Sequence, residues 1–296
     1  LARSIVEGTG YRWYSQQDLY LVQNYIPFDI STVNYDPRGI ITSFRPPLYP
    51  AFLSLIYLIN GIDSDRFFAA RLIQAFLNAS LVPMTYLLAK QVIPDQLRAA
   101  RWSAWTLALY PMMVIYPLSL ATENLFFVLV LGSVLTLLKA GKDQRLRWFA
   151  ISGALIGFSA LTRSVILPFS IVAGLWIWFA FKNWKGAILV IVTAIIVCLP
   201  WIVRNSMLHG RLVGVESSLG YNLYVGYHPK STGTFQYGIS LDLIPMLDDG
   251  LRDRIGTTKA VEFIRDDPAR VIPLVLMRAG HFFGLERRAL TYFYSN

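Results

Sequence analysis

The chain alternates long apolar runs with short polar segments, and the lengths of the runs predict membrane-spanning helices. The hydrocarbon core of a bilayer is about 30 Å thick, so a helix that crosses it needs about 20 mostly apolar residues. Suitable runs lie at 68–89, 100–118, 120–138, 148–162 continuing into 164–181, and 186–203. A run at 47–60 is shorter and is predicted to be short or re-entrant, and one at 269–285 is interrupted by Pro273, Arg278 and His281.

Composition agrees with a membrane protein. Of the 296 residues, 55% are hydrophobic and 15% charged, whereas a water-soluble domain has about 25% charged residues. An aromatic share of 14% excludes a disordered chain, which is poor in aromatic residues. The single cysteine, Cys198, excludes an intrachain disulfide and a cysteine metal cluster. The predicted fold class is an all-α polytopic membrane protein.

The positive charge of the chain indicates topology. A net charge of +9 in a soluble protein would favour nucleic-acid binding, but multi-pass proteins concentrate Lys and Arg in their cytoplasmic loops. The short loops 90–101, 139–147 and 182–185 each carry net positive charge and are predicted to be cytoplasmic, so no nucleic-acid partner is expected. The turns at 118–124 and 162–164, and everything after 203, then belong to the outer face.

This orientation divides the chain into four predicted segments. They are a first extracytoplasmic loop at 1–46, a transmembrane helical bundle at 47–203, an extracytoplasmic loop region at 204–268, and the start of a further membrane helix at 269–296. Within 204–268, residues 219–221 and 231–233 are predicted to be turns, and 249–266 has a helical pattern. Asp267 is expected to cap a helix that begins with Pro268.

Three polar residues share one face of the apolar run 68–89. Arg71, Gln74 and Asn78 are spaced at i, i+3 and i+7, which places them on one side of a helix. They either line a site for a polar ligand, or Arg71 extends to the membrane surface while Gln74 and Asn78 bridge neighbouring helices. The sequence leaves both alternatives open.

Charged residues also collect on the predicted outer face. Glu123 opens an apolar helix, where the helix dipole favours a carboxylate; it is either a capping residue or a catalytic or substrate-orienting carboxylate. Arg45, Arg163 and Arg204 lie on the same predicted face. Because arginine binds phosphate through charge and forked donors, this combination favours a phosphate-bearing lipid near a reacting centre.

Other motifs carry less chemistry. Asp63-Ser64-Asp65 matches a metal-binding D-x-D pattern but is better explained as a turn followed by a helix cap. Gly153 and Gly157 form G-x-x-x-G, which predicts close helix packing. The three histidines, at 209, 228 and 281, lack metal-ligand spacing, so no metal is indicated.

Five groups of residues carry a family resemblance. They are, in order, Arg45-Pro46-Pro47-Leu48-Tyr49-Pro50, Leu118–Glu123 before an apolar helix, Gly153–Gly157 with Ala160–Arg163, Pro200–Asn205, and Gly220–Gly226. Together they resemble the ordered landmarks of bacterial family 39 glycosyltransferases. These are integral membrane enzymes of the GT-C fold, related to protein O-mannosyltransferases and to the aminoarabinose transferase that modifies lipid A. The resemblance runs nearly end to end.

The resemblance implies an inverting hexosyl or pentosyl transferase in the bacterial inner (plasma) membrane. Such an enzyme moves a sugar from a polyprenyl-phosphate-linked donor to a lipid, protein or glycan acceptor at the outer face. By position, Glu123 matches the family's second acidic site, and Arg45 matches the basic residue that faces the lipid phosphate. The other residues expected to bind the substrate or the lipid phosphate are Arg71, Arg163, Arg204, Asn205, Tyr221 and Asn222. No cofactor is expected, since a carboxylate and arginines supply the base and the positive charge.

The resemblance also implies that the chain is a fragment. In the family, the principal catalytic carboxylate stands shortly before an Ala and a Gly-x-Gly, and Gly8-Thr9-Gly10 is similar to that glycine pair. This carboxylate, with the first membrane helix, is therefore expected upstream of Leu1.

Two other functions remain as alternatives. A multispanning transporter or flippase for a lipid-linked or anionic solute would use the polar face of 68–89, but transporters usually show paired halves, and the sequence shows no such repeat. A non-catalytic assembly subunit would leave the arginines and Glu123 without a role.

Overall fold

The computed structural model describes residues 1–16, 19–20, 23 and 36–283. The chain forms two compact units. Leu1–Trp13 and Arg45–Glu216 make up the first unit, and the described residues within Tyr14–Phe44 and Ser217–Asn296 make up the second.

Helices account for nearly all regular structure in both units. The first unit contains α1 (Ala2–Val6), β1 (Arg12–Trp13), α2 (Leu48–Asn60), α3 (Arg66–Val92), α4 (Leu97–Leu109), α5 (Pro111–Ile115), α6 (Glu123–Asp143), α7 (Leu146–Ala160), α8 (Phe169–Phe181) and α9 (Trp184–His209), with 3-10 turns at Tyr116–Leu118 and Ser164–Ile166. The second contains β2 (Ile40–Ile41), α10 (Leu219–Tyr227), α11 (Tyr237–Leu241), α12 (Asp249–Asp266), a 3-10 turn at Pro268–Arg270, and α13 (Val271–Phe283). The predicted all-α class is confirmed.

Four helical segments are long and apolar enough to cross a membrane. Within the described part of the chain they are Arg66–Val92, Glu123–Asp143, Ser164–Phe181 and Trp184–His209, while α2 and α7 are shorter apolar helices. At 1.5 Å per residue, the 21 residues of α6 span about 30 Å, the thickness of the hydrocarbon core. The prediction of an integral multi-pass membrane protein is confirmed.

The prediction of one continuous helix over 100–118 is wrong. Helix α4 ends at Leu109, Tyr110 is extended with φ −69° and ψ 114°, and α5 begins at Pro111. Proline lacks the N–H that would bond to the preceding turn, and it disfavours helical geometry at the residue before it. The apolar run therefore folds as one helix followed by two short helical turns.

The region after 203 also departs from prediction at two points. Residues 219–221, predicted to be a turn, instead begin α10. Gly220, which has no side chain, allows α10 to pack directly on α12. A Cβ atom on Gly220 would lie 1.7 Å from the carbonyl oxygen of Asp253, whose carboxylate accepts the Gly220 N–H at 2.7 Å. Pro268 opens a 3-10 turn that Asp267 does not cap with its side chain. The predicted helix over 249–266 is confirmed as α12.

Two local predictions are confirmed in the first unit. Asp65 caps α3 by accepting the Phe68 N–H at 3.1 Å. Gly153 and Gly157 of α7 face α9, where a Cβ on Gly157 would lie 2.8 Å from the carbonyl oxygen of Ala194. The absence of side chains at these two positions allows the backbones of α7 and α9 to approach closely.

The basic loops of the first unit meet at one end, which we call the basic-loop end. Lys142 Nζ donates to the Gln91 carbonyl at 3.5 Å, and Asn183 Nδ2 donates to Gln144 Oε1 at 2.8 Å. These contacts join the loops 90–101, 139–147 and 182–185.

A buried ion pair organises the second unit. Asp249 and Arg252, 4% and 1% exposed, form a salt bridge within α12. The Asp249 carboxylate also accepts the Thr42 hydroxyl and the Ser43 N–H, the latter at 3.0 Å. Since a buried charge is costly unless it is paired and hydrogen-bonded, these contacts hold the segment 42–43 against α12.

Candidate active site

Glu123 and Arg163, which are 40 residues apart, form an ion pair. Arg163 Nη1 donates to Glu123 Oε1 and lies 3.3 Å from the Thr122 hydroxyl oxygen. Thr122 in turn donates to Glu123 Oε2 at 3.0 Å. The Glu123 and Arg163 side chains are 25% and 42% exposed, so a polar ligand can reach the pair.

The ends of two helices place these side chains. Glu123 is the first residue of α6, where the positive end of the helix dipole favours its negative charge. Helix α7 ends at Ala160, the next two residues are buried, and Arg163 turns extended with φ −148° and ψ 110°. This change of direction carries the guanidinium out of the apolar interior to the start of α6.

Arg71 and Gln74 hold the segment that precedes Glu123. Arg71 Nε donates to the Leu118 carbonyl at 2.9 Å. Gln74 is fully buried, donates to the Pro117 carbonyl at 3.0 Å and accepts the Tyr49 hydroxyl at 2.6 Å. For Gln74 the structure therefore shows a bridge between segments. The phosphate-binding role of Arg71 stays a prediction, because the hydrogen bond described for its side chain is to a backbone carbonyl.

Asn78 also bridges two helices, and it borders a cavity. Its Nδ2 donates to Asn124 Oδ1 at 2.8 Å, whereas its own buried Oδ1 has no hydrogen-bond partner among the described residues. The cavity, of about 550 Å³, lies between α3 and the chain from α4 to Pro117. Apart from Asn78, its wall is built of Ala75, Ala79, Leu81, Val82, Pro83, Leu107, Ala108, Met113, Val114 and Pro117. A wall of this composition suits a hydrocarbon chain.

Tyr11 connects the segments that carry Arg45 and Arg204. Its hydroxyl donates to the Arg45 carbonyl at 3.0 Å, and its ring meets Trp201 edge to face with centroids 4.9 Å apart. The Arg204 guanidinium lies 4.6 Å from the centroid of the same Trp201 ring, a cation–π distance. Arg204 Nη1 also donates to Asn205 Oδ1 at 2.9 Å.

A further contact brings Arg163 to the same end of the unit. The Leu48 N–H at the start of α2 donates to the Leu161 carbonyl at 2.9 Å, and both residues pack in one apolar cluster with Trp201. Together with the contacts of Tyr11, this joins the surroundings of Glu123 and of the three arginines at one end. We call it the arginine end, opposite the basic-loop end across the length of α6.

Sequence reasoning missed Glu216 and gave Asn205 too little structural weight. Glu216 Oε1 accepts the hydroxyl of Ser164, the residue after Arg163. Asn205 is fully buried and donates to the carbonyls of Gly214 and Val215 at 3.0 and 3.1 Å. It therefore fixes the loop segment that leads to Glu216. No motif marks Glu216; its only sequence signal is a carboxylate next to an apolar residue.

Tyr221 and Asn222 belong to α10 of the second unit. The Tyr221 ring meets Phe44 edge to face with centroids 5.5 Å apart, and Asn222 Nδ2 donates to Ser218 Oγ at 3.4 Å. Their proposed part in binding the substrate stays a prediction.

The described residues contain no group of three or more His, Cys, Asp or Glu side chains arranged to hold a metal ion. The charged groups at the arginine end are instead guanidiniums and single carboxylates. Of these groups, a guanidinium is suited to bind a phosphate through charge-assisted hydrogen bonds, whereas a carboxylate is suited to accept a proton.

Comparison with known families agrees with this chemistry. The dolichyl-phosphate-mannose-protein mannosyltransferase family matches residues 44–203, more than half of the chain. The match begins just before Arg45 and includes Glu123 and Arg163. No match was found among curated proteins or among solved structures. The chain belongs to the dolichyl-phosphate-mannose-protein mannosyltransferase family and is an integral multi-pass membrane glycosyltransferase that uses a polyprenyl-phosphate-linked sugar donor.

Proposed function

We propose that the protein transfers its sugar at the outer face of the membrane to an acceptor hydroxyl, with inversion at the anomeric carbon. The observation that carries the proposal is the accessible Glu123–Arg163 ion pair at the arginine end. The basic loops lie at the opposite end, and loops rich in Lys and Arg favour the cytoplasmic side. The arginine end is thereby assigned to the outer face.

The reaction makes and breaks one bond at the anomeric carbon. The acceptor oxygen bonds to that carbon, the bond to the donor phosphate oxygen breaks, and the proton of the acceptor passes to a carboxylate. The departing polyprenyl phosphate gains negative charge, so fixed cations aimed at it lower the barrier. Arg163 and Arg45 are assigned to the phosphate, with Arg204 and Arg71 completing the positive rim. No cofactor is needed for these steps.

Glu123 is assigned as the carboxylate that orients the reacting groups. Arg163 contacts Thr122 and Glu123, at the start of α6, through the single nitrogen Nη1. Because a guanidinium has five N–H donors in a planar fork, Arg163 is able to keep this pairing and to bind a phosphate with its other nitrogens. Glu123 thereby sets the plane of the fork, and it lies next to the step in which the acceptor loses its proton.

The apolar cavity beside Asn78 is assigned to the hydrocarbon chain of the donor. Its wall includes Pro117, which hydrogen-bonds through its carbonyl to Gln74, in the segment that leads to Glu123. A polyprenyl chain lying there has its phosphate near the arginine end and its apolar units against α3 and α4.

Transfer of labelled sugar in membranes tests the proposal. Labelled polyprenyl-phosphate sugar is added, and the lipid, protein and glycan fractions are counted separately to identify the acceptor. Glu123→Gln, Arg45→Ala and Arg163→Ala are each expected to lower the transfer rate by about 10²–10³-fold, the usual effect of losing one donor to a developing charge. Arg98→Ala, which removes a charge at the basic-loop end, is the matched control and is expected to leave transfer unchanged.

Three outcomes would overturn parts of the proposal. Full transfer by Glu123→Gln and Arg45→Ala would show that the site is elsewhere. Transfer that requires donor on the cytoplasmic side of sealed vesicles would reverse the assigned face. Movement of the donor across the bilayer without sugar transfer would favour a transporter.

A further inference from the structure

Glu216 is a carboxylate close to the arginine that the proposed function assigns to the donor phosphate. It is half-buried and accepts a hydrogen bond from the hydroxyl of Ser164. Ser164 directly follows Arg163 and begins the 3-10 turn Ser164–Ile166. The hydrogen bond therefore acts on the first residue after the guanidinium-bearing position.

The backbone next to Glu216 is fixed to the end of α9. The Val215 carbonyl accepts the Trp201 indole N–H at 3.0 Å and the Asn205 amide at 3.1 Å, and the Val213 N–H donates to Ser206 Oγ at 3.1 Å. Val215 is buried in the same apolar cluster as Leu161 and Cys198. Glu216 thus extends from an anchored segment.

The turn that carries Arg163 has less support of its own. Arg163 is extended, between the end of α7 and a three-residue turn in which no residue is buried. Val165, within that turn, is 74% exposed. On this side of Arg163, Ile166 packs against the apolar cluster that includes Cys198 and Val215. Among the described hydrogen bonds of the turn, the one between Ser164 and Glu216 ties it to a distant part of the chain through side chains.

We infer that Glu216 is a positioning residue for the donor phosphate, acting through Ser164 to hold the turn from which Arg163 reaches Glu123. The inference rests on the proposed function, because it presumes that Arg163 binds the phosphate. The role needs a hydrogen-bond acceptor at 216 rather than a negative charge. A carboxamide therefore replaces the carboxylate, whereas a methyl group does not.

Steady-state transfer kinetics with a panel of variants test this inference. Glu216→Ala and Ser164→Ala are each expected to lower kcat/KM by about 10- to 100-fold, within the range for leaving the other partner of a hydrogen bond unsatisfied. The double variant is expected to be no worse than either single variant, and Glu216→Gln is expected to stay near wild type. Asp95→Asn, at the basic-loop end, serves as the control for loss of a carboxylate.

A purely structural role for Glu216 would give a different pattern with Arg163→Lys. Lysine keeps the charge of arginine but lacks the planar fork of N–H donors. The orientation that the turn gives to the side chain at 163 therefore matters less. Glu216→Ala is expected to have at most a few-fold further effect in that background. If it lowers transfer by the same factor as in wild type, Glu216 acts independently of Arg163 and the inference is wrong.

The outcomes separate this inference from the proposed function. If Arg163→Lys and Arg163→Ala both transfer sugar at the wild-type rate, Arg163 does not bind the donor phosphate, and the proposed function is wrong on that point. Loss of transfer in both, together with wild-type kinetics for Glu216→Ala and Ser164→Ala, would overturn only the role of Glu216. Equal losses in Glu216→Gln and Glu216→Ala would show a requirement for charge and would also overturn it. If Glu216→Ala reduces the amount of folded protein, the other two variants test the inference instead. A loss of transfer in Ser164→Ala with near wild-type transfer in Glu216→Gln supports it, and any other pattern overturns it.

Discussion

Replacing Gly153 with alanine tests the close packing of α7 on α9, on which the position of Arg163 depends. A Cβ at Gly153 would lie 2.0 Å from Thr193 Oγ1 and 2.4 Å from the Val190 carbonyl oxygen. The threonine side chain has the freedom to rotate away, but the carbonyl belongs to the backbone of α9. The two helices must therefore separate to accept even one methyl group.

The size of the effect follows from these distances. Carbon–oxygen contacts between helices are normally about 3.3–3.6 Å, so α7 and α9 must move apart by about 1 Å. Overpacking of this kind costs about 1–3 kcal/mol. Alanine also favours a helix by about 1 kcal/mol over glycine. The control is therefore a glycine-to-alanine substitution elsewhere in a helix that gains the same helix propensity but causes no clash.

Gly132 in α6 provides that comparison. A Cβ there would lie 3.6 Å from its nearest neighbour, Leu155 Cδ1, which is ordinary contact. At roughly 3 °C per kcal/mol for a chain of this size, Gly153→Ala is expected to melt about 3–9 °C below Gly132→Ala. Thermal unfolding of both purified variants in one detergent, with sugar transfer measured in parallel, provides the readout.

The opposite result would refute the packing argument. Equal melting temperatures for the two variants would mean that α7 and α9 are not in backbone contact at Gly153. A lower melting temperature with unchanged transfer below that temperature would mean that the packing does not set the position of Arg163.

Three further predictions address the cavity, the titration of one histidine and the buried ion pair. Ala108→Trp fills the cavity beside α3 and is expected to raise the KM for a long-chain donor while leaving a short, water-soluble donor unaffected; Ile196→Trp, on a side chain that is 57% exposed on α9, should change neither KM. Burial lowers the pKa of His228; the Asp242 carboxylate opposes this shift, and Lys230 and Arg270 add to it to a smaller extent. Between the folded pKa and the ordinary value of about 6.5, the unfolded chain therefore binds more protons than the folded one. Stability is expected to fall as the pH drops from 7 through the folded pKa, and His228→Asn should remove that slope in pH-dependent thermal melts. Asp249→Ala leaves the Arg252 charge buried without its partner and is expected to cost about 3–5 kcal/mol. Replacing the pair by leucine and methionine should restore only part of that stability, because the Thr42 hydroxyl and the Ser43 N–H still lose their acceptor. Limited proteolysis of the second unit would detect both effects, and an intact unit in Asp249→Ala would contradict the argument.

The local and one-dimensional features of the fold were predictable from the sequence. A bilayer requires a minimum length of apolar helix, so run length alone identified α3, α6 and α9, and the glycine pair in α7 identified its close packing. The cap at Asp65 depends only on residues three positions apart. Run length failed at 100–118, because Pro111 breaks a helix without making the run less apolar.

The tertiary structure decided which polar residues meet. Glu123 and Arg163 were each visible as charges near helix ends, but only the packing of α6 and α7 makes them an ion pair. The sequence left two roles open for Gln74, lining a ligand site or bridging helices. Its buried hydrogen bonds to Pro117 and Tyr49 show that it bridges segments. The physical reason is that hydropathy and helix periodicity depend on neighbours in sequence, whereas hydrogen bonds and ion pairs depend on atoms that folding brings within about 3 Å. Glu216 shows the difference most clearly, since nothing in its surrounding sequence marks it, and its contact with Ser164 exists only because the end of α9 anchors the chain that leads to it.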